Sequence, residues 1–442
     1  METIELSILA TTHDGRGVAR ADGVVVFVTG ALPGDVVLAR ITKRTPRFCE
    51  AVTEEIISST AARVPCACGQ EKCGGCVWNC LSYEKQLEYK QGRVRAAFSR
   101  IGKLEVEPLP VIPSPKTEEY RNKVTLHFGR VDGKVILGVL PENSHQVLHR
   151  KGCNSYDSRL EPFIELTESW AQRTAARLYR PATKEGLLSR AAFRIGSSGE
   201  ISLLLITGDG ALPHIGQFTQ ALAEAGLTCF AHATERNPHK ADILWGKAGI
   251  AETLADVNLT VSPAAFMQVN HEAAEILYKK ALEMAQLTPE QTVADLCCGV
   301  GSITLAAARH AGKVYGAEIS AAAIEDAKKN AQANELEAEF VAAEAGEAMK
   351  GWLEAGVNFD TVIVDPPRSG LTEDARQAVL AAKPQRIVYV SCGPETLARD
   401  CAVFAANGYA VTCCQPVDLF PNTPHCEAVC ALQRQPRSDI NS

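Results

Sequence analysis

Thr292-Val293-Ala294-Asp295-Leu296-Cys297-Cys298-Gly299-Val300-Gly301-Ser302 is a short apolar strand closed by an aspartate, a loop with two glycines, and the opening of a helix. Working outward, the same grammar repeats. Lys313–Ala317, Phe359–Val364 and Arg386–Val390 are further short apolar strands, and Ala321–Ala333 between them has helical character. That alternation predicts a parallel sheet covered by helices on both faces, which takes ligands at the C-terminal ends of its strands. The glycines let the backbone come close to a ligand. Glu318, ending the second strand 17 residues after Gly301, is placed to accept hydrogen bonds from ribose hydroxyls. A nucleoside site is expected there.

Three more clusters fall at strand ends of the same region: Asp365-Pro366-Pro367-Arg368, Val390-Ser391-Cys392-Gly393-Pro394, and Asp418-Leu419-Phe420-Pro421-Asn422-Thr423-Pro424-His425-Cys426-Glu427. Singly they read as a proline-stiffened turn, a buried thiol and a surface carboxylate. In order, one per strand end, they read as a constellation. The loop lacks the three-glycine dinucleotide fingerprint; its Asp-x-x-x-Gly-x-Gly form resembles that of S-adenosylmethionine methyltransferases.

Upstream, residues 1–58 alternate β-rich runs with turns, which predicts a small β-barrel. Residues 59–104 hold a cysteine-dense stretch and a basic helix from Ser82 to about Ile101, whose charges read first as a solvated face and second as an RNA contact. Residues 105–269 form a central α/β domain, residues 270–433 the strand–loop–helix domain, and the tail Gln433–Ser442 is polar. The net charge of −7 is uneven, with 12 basic against 20 acidic residues from Pro289 onward. A polyanion surface therefore belongs mainly to the first two-thirds of the chain. No apolar run approaches the roughly 20 residues of a membrane span, and the start is acidic, so a cytoplasmic protein without membrane contact is expected. In that compartment the 16 cysteines read as buried thiols, ligands or nucleophiles. Cys66, Cys68, Cys73, Cys76 and Cys80 crowd together without a nearby histidine, which suits zinc or iron–sulfur ligation by thiolates. No Cys-x-x-x-Cys-x-x-Cys run is present, which argues against radical chemistry.

Gln268 in Phe266-Met267-Gln268-Val269-Asn270, the Asp295 loop, Asp365-Pro366-Pro367-Arg368, Ser391-Cys392-Gly393-Pro394 and His425-Cys426-Glu427 together resemble the RNA uracil-5 methyltransferases. Residues 1–58 are similar to the TRAM barrel of that family, and Cys73-Gly74-Gly75-Cys76 to the core of its iron–sulfur motif. The resemblance implies an α/β fold with a C-terminal Rossmann-like class I methyltransferase domain, an OB-like N-terminal barrel and a central α/β domain. It implies S-adenosylmethionine bound by Gln268, Cys297, Gly299, Ser302, Glu318 and Asp365, with Glu344 near a further cofactor position. Cys297 and Ser302 stand where the family more often has an aromatic residue and an asparagine. Carbon 5 of uracil is a poor nucleophile; the resemblance implies that Cys392 adds to carbon 6 and that Glu427 then removes the carbon 5 proton. It further implies a [4Fe–4S] cluster on Cys73, Cys76, Cys153 and either Cys66 or Cys68, since the family's usual five-residue spacing falls between the six left by Cys66 and the four left by Cys68. Cys80 is a bystander. Arg121 and Lys123 match a substrate-facing segment. The implied partner is RNA with a flipped or unpaired uridine, ribosomal rather than transfer RNA, acted on by a monomer. The alternatives are a transfer RNA enzyme, a non-catalytic RNA-binding protein of the same fold, and a small-molecule methyltransferase.

Overall fold

The computed structural model describes residues 2–66, 68, 73–141, 144 and 146–436. Residues 437–442 of the polar tail and residues 67 and 69–72 of the cysteine-rich stretch lie outside it.

Strands Thr3–Ser7, Ala10–Thr11, Gly17–Ala21, Val24–Thr29, Val36–Arg44 and Phe48–Ser58 form one six-stranded sheet. Alternate residues point inward, so Leu6, Ala19, Val26, Val28, Val37, Ala39 and Ala51 make its core. Register shifts between Val36–Arg44 and Phe48–Ser58 bend the two longest strands, the effect of bulges in a curved sheet.

The central domain is a seven-stranded sheet ordered Asn237–Gly246, Cys229–Thr234, Ile201–Thr207, Leu188–Ile195, Lys123–Val131, Lys134–Val139, Leu148–His149. Helices Glu161–Thr174 and Ile215–Glu224 cover one face, with Trp170 stacked on Phe218 at 4.9 Å.

The C-terminal sheet positions the site. Its strands are β1 Thr292–Leu296, β2 Lys313–Glu318, β3 Glu339–Ala342, β4 Thr361–Val364, β5 Arg386–Ser391, β6 Tyr409–Val417 and β7 Glu427–Arg434. They lie in the order β3-β2-β1-β4-β5-β7-β6. The first five are parallel, and β7 runs antiparallel between β5 and β6. Ala294, Leu296, Val362, Val364, Ile387 and Tyr389 enter one apolar layer, and Val293, Ile363, Val388 and Val390 enter the other. Strands buried on both faces must be apolar throughout, which is why these runs were readable.

Two upstream pieces share these cores. The hairpin Ile250–Leu254 and Val257–Val261 contributes Leu254, Val257, Leu259 and Val261 beside helix His271–Ala285. Helix Tyr83–Ala97, extended by a wide turn Phe98–Gly102, contributes Val94, Ala97 and Phe98 beside Leu397, Ala398 and Phe404. Among the described residues no helix is long and apolar enough to cross a membrane.

A candidate active site at the strand ends

The loop after β1 turns through positive φ at Cys297 (+67°), Gly299 (+55°) and Gly301 (+88°). A side-chain residue held there at Cys297 is strained, the kind of local cost that concentrates at functional sites. The glycines differ in purpose. A Cβ on Gly301 would crowd Ala327 at 3.2 Å, whereas one on Gly299 would meet nothing within 4 Å, leaving open space above the loop. Gly299 N–H donates to Glu318 Oε2 (3.2 Å) and Ser320 N–H to Glu318 Oε1 (3.0 Å), so the end of β2 is fixed against the loop. Ser302 is buried in the first turn of helix Ser302–Ala308. Glu344 caps helix Ala345–Glu354 through Gly346 N–H and accepts from Thr372 Oγ1.

Carboxylates converge here. Asp295 is fully buried, accepts from Thr304 Oγ1 at 2.5 Å, has no partner for its other oxygen, and is pushed up to about 7 by burial. Asp365, tied by its N–H to Leu296 O, is raised to about 7 by burial and then by Asp295. Gln268 is buried, and burial raises the hydroxyl of buried Tyr278 well above its usual range, with Asp365 adding and Gln268 opposing. Asn122 donates to Gln268 O and Val269 O, joining the central sheet to this floor.

Ser391 on β5 pairs with Ala428 on β7. Cys392 follows the first and Glu427 precedes the second, so antiparallel register brings them to the same edge. Burial raises Glu427 to about 8, Asp365 adds to it, and Arg368 opposes. Burial raises the Cys392 thiol to about 11, with Glu427 and Asp365 adding and Arg368 again opposing. Cys426 is fully buried and its thiol donates to Glu427 O, so it faces away from the cleft's reach.

His425 is driven down to about 4 by burial and by Arg368, Arg93, Lys90 and Arg121, which surround it. Arg121 lies over the Tyr120 and Phe420 rings at 5.5 and 6.0 Å. Lys123 pairs across the sheet with Arg194, and burial followed by that neighbour lowers it to about 8.

Burial raises the Cys76 thiol to about 11, with Arg121 opposing and Cys153, Cys73 and Cys68 adding. Asn79 Nδ2 donates to Cys66 Sγ (3.2 Å) and Cys68 Sγ (3.1 Å). Among the described residues no three His, Cys, Asp or Glu side chains are arranged to hold a metal ion. Cys80 packs beside Leu32, Trp78 and Leu81.

The sequence reading missed Tyr278, Lys90, Arg93 and the opposing cation Arg368. For the last, its place in Asp365-Pro366-Pro367-Arg368 was the available signal. The basic helix is not solvated throughout. Lys85 and Arg95 pair on the surface with Glu88 and Glu107, while Lys90 and Arg93 reach into the Asp418–Glu427 loop.

A doubly wound sheet with an open glycine loop, an acidic second strand end and clustered carboxylates defines an S-adenosylmethionine-dependent methyltransferase. Comparison with known proteins agrees. Residues 253–435 match the tRNA (uracil-5-)-methyltransferase family and residues 1–52 the TRAM domain. An uncharacterized RNA methyltransferase of Listeria monocytogenes is 37% identical over 98% of this chain and 97% of its own. Another, of Halalkalibacterium halodurans, is 36% identical over 98% and 97%. The Pyrococcus abyssi tRNA (uracil-54, C5)-methyltransferase, solved in complex with S-adenosyl-L-homocysteine, has a TM-score of 0.76 at 28% identity, covering 97% of this chain and 100% of that one. The chain belongs to the RNA uracil-5 methyltransferase family.

Proposed function

We propose that the protein methylates carbon 5 of an unpaired or flipped uridine in RNA, with Cys392 as nucleophile and Glu427 as base. The observation that carries this reading is the β5/β7 register, which sets Cys392 and Glu427 at one edge with Asp365 and Arg368 in electrostatic range. Bound S-adenosylmethionine supplies an electrophilic methyl on a sulfonium. Gln268, Gly299 and Glu318 hold its nucleoside end, Cys297 and Ser302 line the same loop, and Asp365 faces the charge. Arg368 favours the Cys392 thiolate, which adds to carbon 6 and makes carbon 5 nucleophilic. Glu427 is poised near neutrality, where a general base is most effective. A positive charge beside it favours its carboxylate, and loss of that charge after transfer makes it more basic, when the carbon 5 proton must leave and the Cys392–carbon 6 bond breaks to restore the double bond and free the thiolate. Arg121 and Lys123 approach the RNA.

Cofactor affinity provides two tests by calorimetry. Glu318→Ala should weaken S-adenosylmethionine binding by about 1–3 kcal/mol, through loss of charged hydrogen-bond acceptors; unchanged affinity would place the ribose elsewhere. Because Asp365 ionises at about 7, its charge is present above that pH and lost below it. Affinity for the cationic donor should therefore rise as the pH passes upward through about 7, and Asp365→Asn should flatten the rise. The same pH dependence for S-adenosyl-L-homocysteine, which lacks the sulfonium, would remove this electrostatic role.

Thiolate density without a nearby histidine supports a [4Fe–4S] cluster, which Cys73, Cys76, Cys153 and one of Cys66 or Cys68 would hold. Anaerobically purified protein should be brown, and serine at Cys73 or Cys76 should lose bound iron. Stoichiometric zinc without visible absorbance would contradict this.

The RNA is ribosomal on the resemblance of barrel plus cysteine cluster. The Pyrococcus abyssi relative favours a second reading, transfer RNA. Nucleoside analysis of both RNA pools from a deletion strain separates them by which pool loses 5-methyluridine.

A further inference from the structure

The edge that brings Cys392 and Glu427 together is clamped by a residue outside residues 253–435, the part of the chain matched to the methyltransferase family. Arg93, on helix Tyr83–Ala97, donates through Nε and Nη2 to both oxygens of Glu395 at 2.9 Å, and through Nη1 to Pro424 O at 2.8 Å. Glu395 lies three residues after Cys392, in the first turn of helix Pro394–Ala406. Pro424 lies three residues before Glu427. One rigid, planar guanidinium thus spans the segment of the nucleophile and the segment of the base. Arginine alone among side chains can bind a carboxylate in a fork and still donate to a third group in its plane.

The helix carrying Arg93 is itself fixed. Gln86 Nε2 donates to Asn422 Oδ1 (3.0 Å) while Asn422 N–H donates to Gln86 Oε1 (2.7 Å), and Lys90 Nζ reaches Phe420 O at 3.0 Å. The loop between Asp418 and Glu427 is therefore held along its length by a helix from another part of the chain.

We infer that Arg93 is a positioning residue that sets the spacing of Cys392 and Glu427, so that the catalytic edge is completed from the linker between the barrel and the central domain. The inference rests on the reading of Cys392 and Glu427 as nucleophile and base. Arg93 touches neither reacting atom. Its loss should change the rate of the covalent steps and leave the binding of both substrates alone.

The test uses full-length protein with uridine-containing RNA. Arg93→Met should lower kcat on the order of 100-fold, the scale of a small misplacement of reacting groups. The KM for RNA, the affinity for S-adenosylmethionine and the melting temperature should stay near wild type. Arg93→Lys should recover part of kcat, since an ammonium can meet Glu395 or Pro424 O but not both. Glu395→Ala, at a half-exposed carboxylate, should lower kcat about tenfold, the effect of one charged hydrogen-bonding partner. Added to Arg93→Met it should cost nothing further. Wild-type kcat in Arg93→Met overturns the inference, as does a fall in kcat matched by equal losses of RNA and cofactor affinity. Should Arg93→Met not fold, wild-type kcat in Glu395→Ala overturns it alone. Cys392→Ala run in parallel separates the two levels: full turnover there sinks the underlying assignment, whereas an inactive Cys392→Ala beside a fully active Arg93→Met sinks only the role of Arg93.

Discussion

Cys392→Ala should abolish methyl transfer and leave no covalent protein–RNA species, because addition to carbon 6 precedes every later step. The buried Cys426 cannot substitute, since its thiol faces the backbone of Glu427 and burial holds it protonated. Glu427→Gln has a different signature. The amide keeps the shape of the carboxylate but accepts a proton poorly, so addition and transfer proceed while elimination stalls. Turnover should fall by about 10²–10⁴, the usual share of a positioned acid or base. On a denaturing gel with labelled RNA and S-adenosylmethionine, Glu427→Gln should give a slow band and Cys392→Ala none. A band from Cys392→Ala would move the nucleophile to another thiol. Full turnover by Glu427→Gln would leave the proton to water or to Asp365.

Lys90→Met should be the most destabilising single change proposed. Lys90 and Asp418 are both fully buried, 2.5 Å apart. Asp418 also accepts from Tyr83 Oη (2.9 Å) and Phe420 N–H (3.1 Å). Taking two charges out of water is costly, so the pair itself contributes little; removing one partner strands the other, which costs about 3–5 kcal/mol. Urea unfolding should show that loss. Lys90→Met combined with Asp418→Asn, which removes the stranded charge, should recover part of it. A Lys90→Met protein as stable as wild type would mean that Asp418 finds its counter-charge elsewhere.

These two sites mark the limits of reading the chain as a string. Thr292–Leu296 and Ala321–Ala333 were legible to the residue, because a strand buried on both faces and a helix between strands leave local patterns. The strand-end places of Cys392, Glu427 and Asp365 were legible because each adjoins an apolar strand. Lys90 and Arg93 were not, because their partners lie 328 and 302 positions away and a charge run looks the same whether it faces water or a carboxylate. The central sheet was half visible. Leu188–Ile195 pairs on one side with Lys123–Val131, far away in sequence, and the charges at Arg190 and Arg194 break the apolar run by which such a strand is recognised. The acidic balance of the last third also concealed Arg368, since a net charge does not report one cation set among clustered carboxylates.

The central claim is methyl transfer to carbon 5 of uridine, and one measurement addresses it directly. Full-length protein is incubated with RNA and S-adenosylmethionine carrying a deuterated methyl group; the RNA is then digested to nucleosides and weighed by mass spectrometry. The expected product is 5-methyluridine bearing the deuterated methyl, absent when Cys392 is alanine. Deuterium on another base, on ribose, or on no nucleoside at all would contradict it.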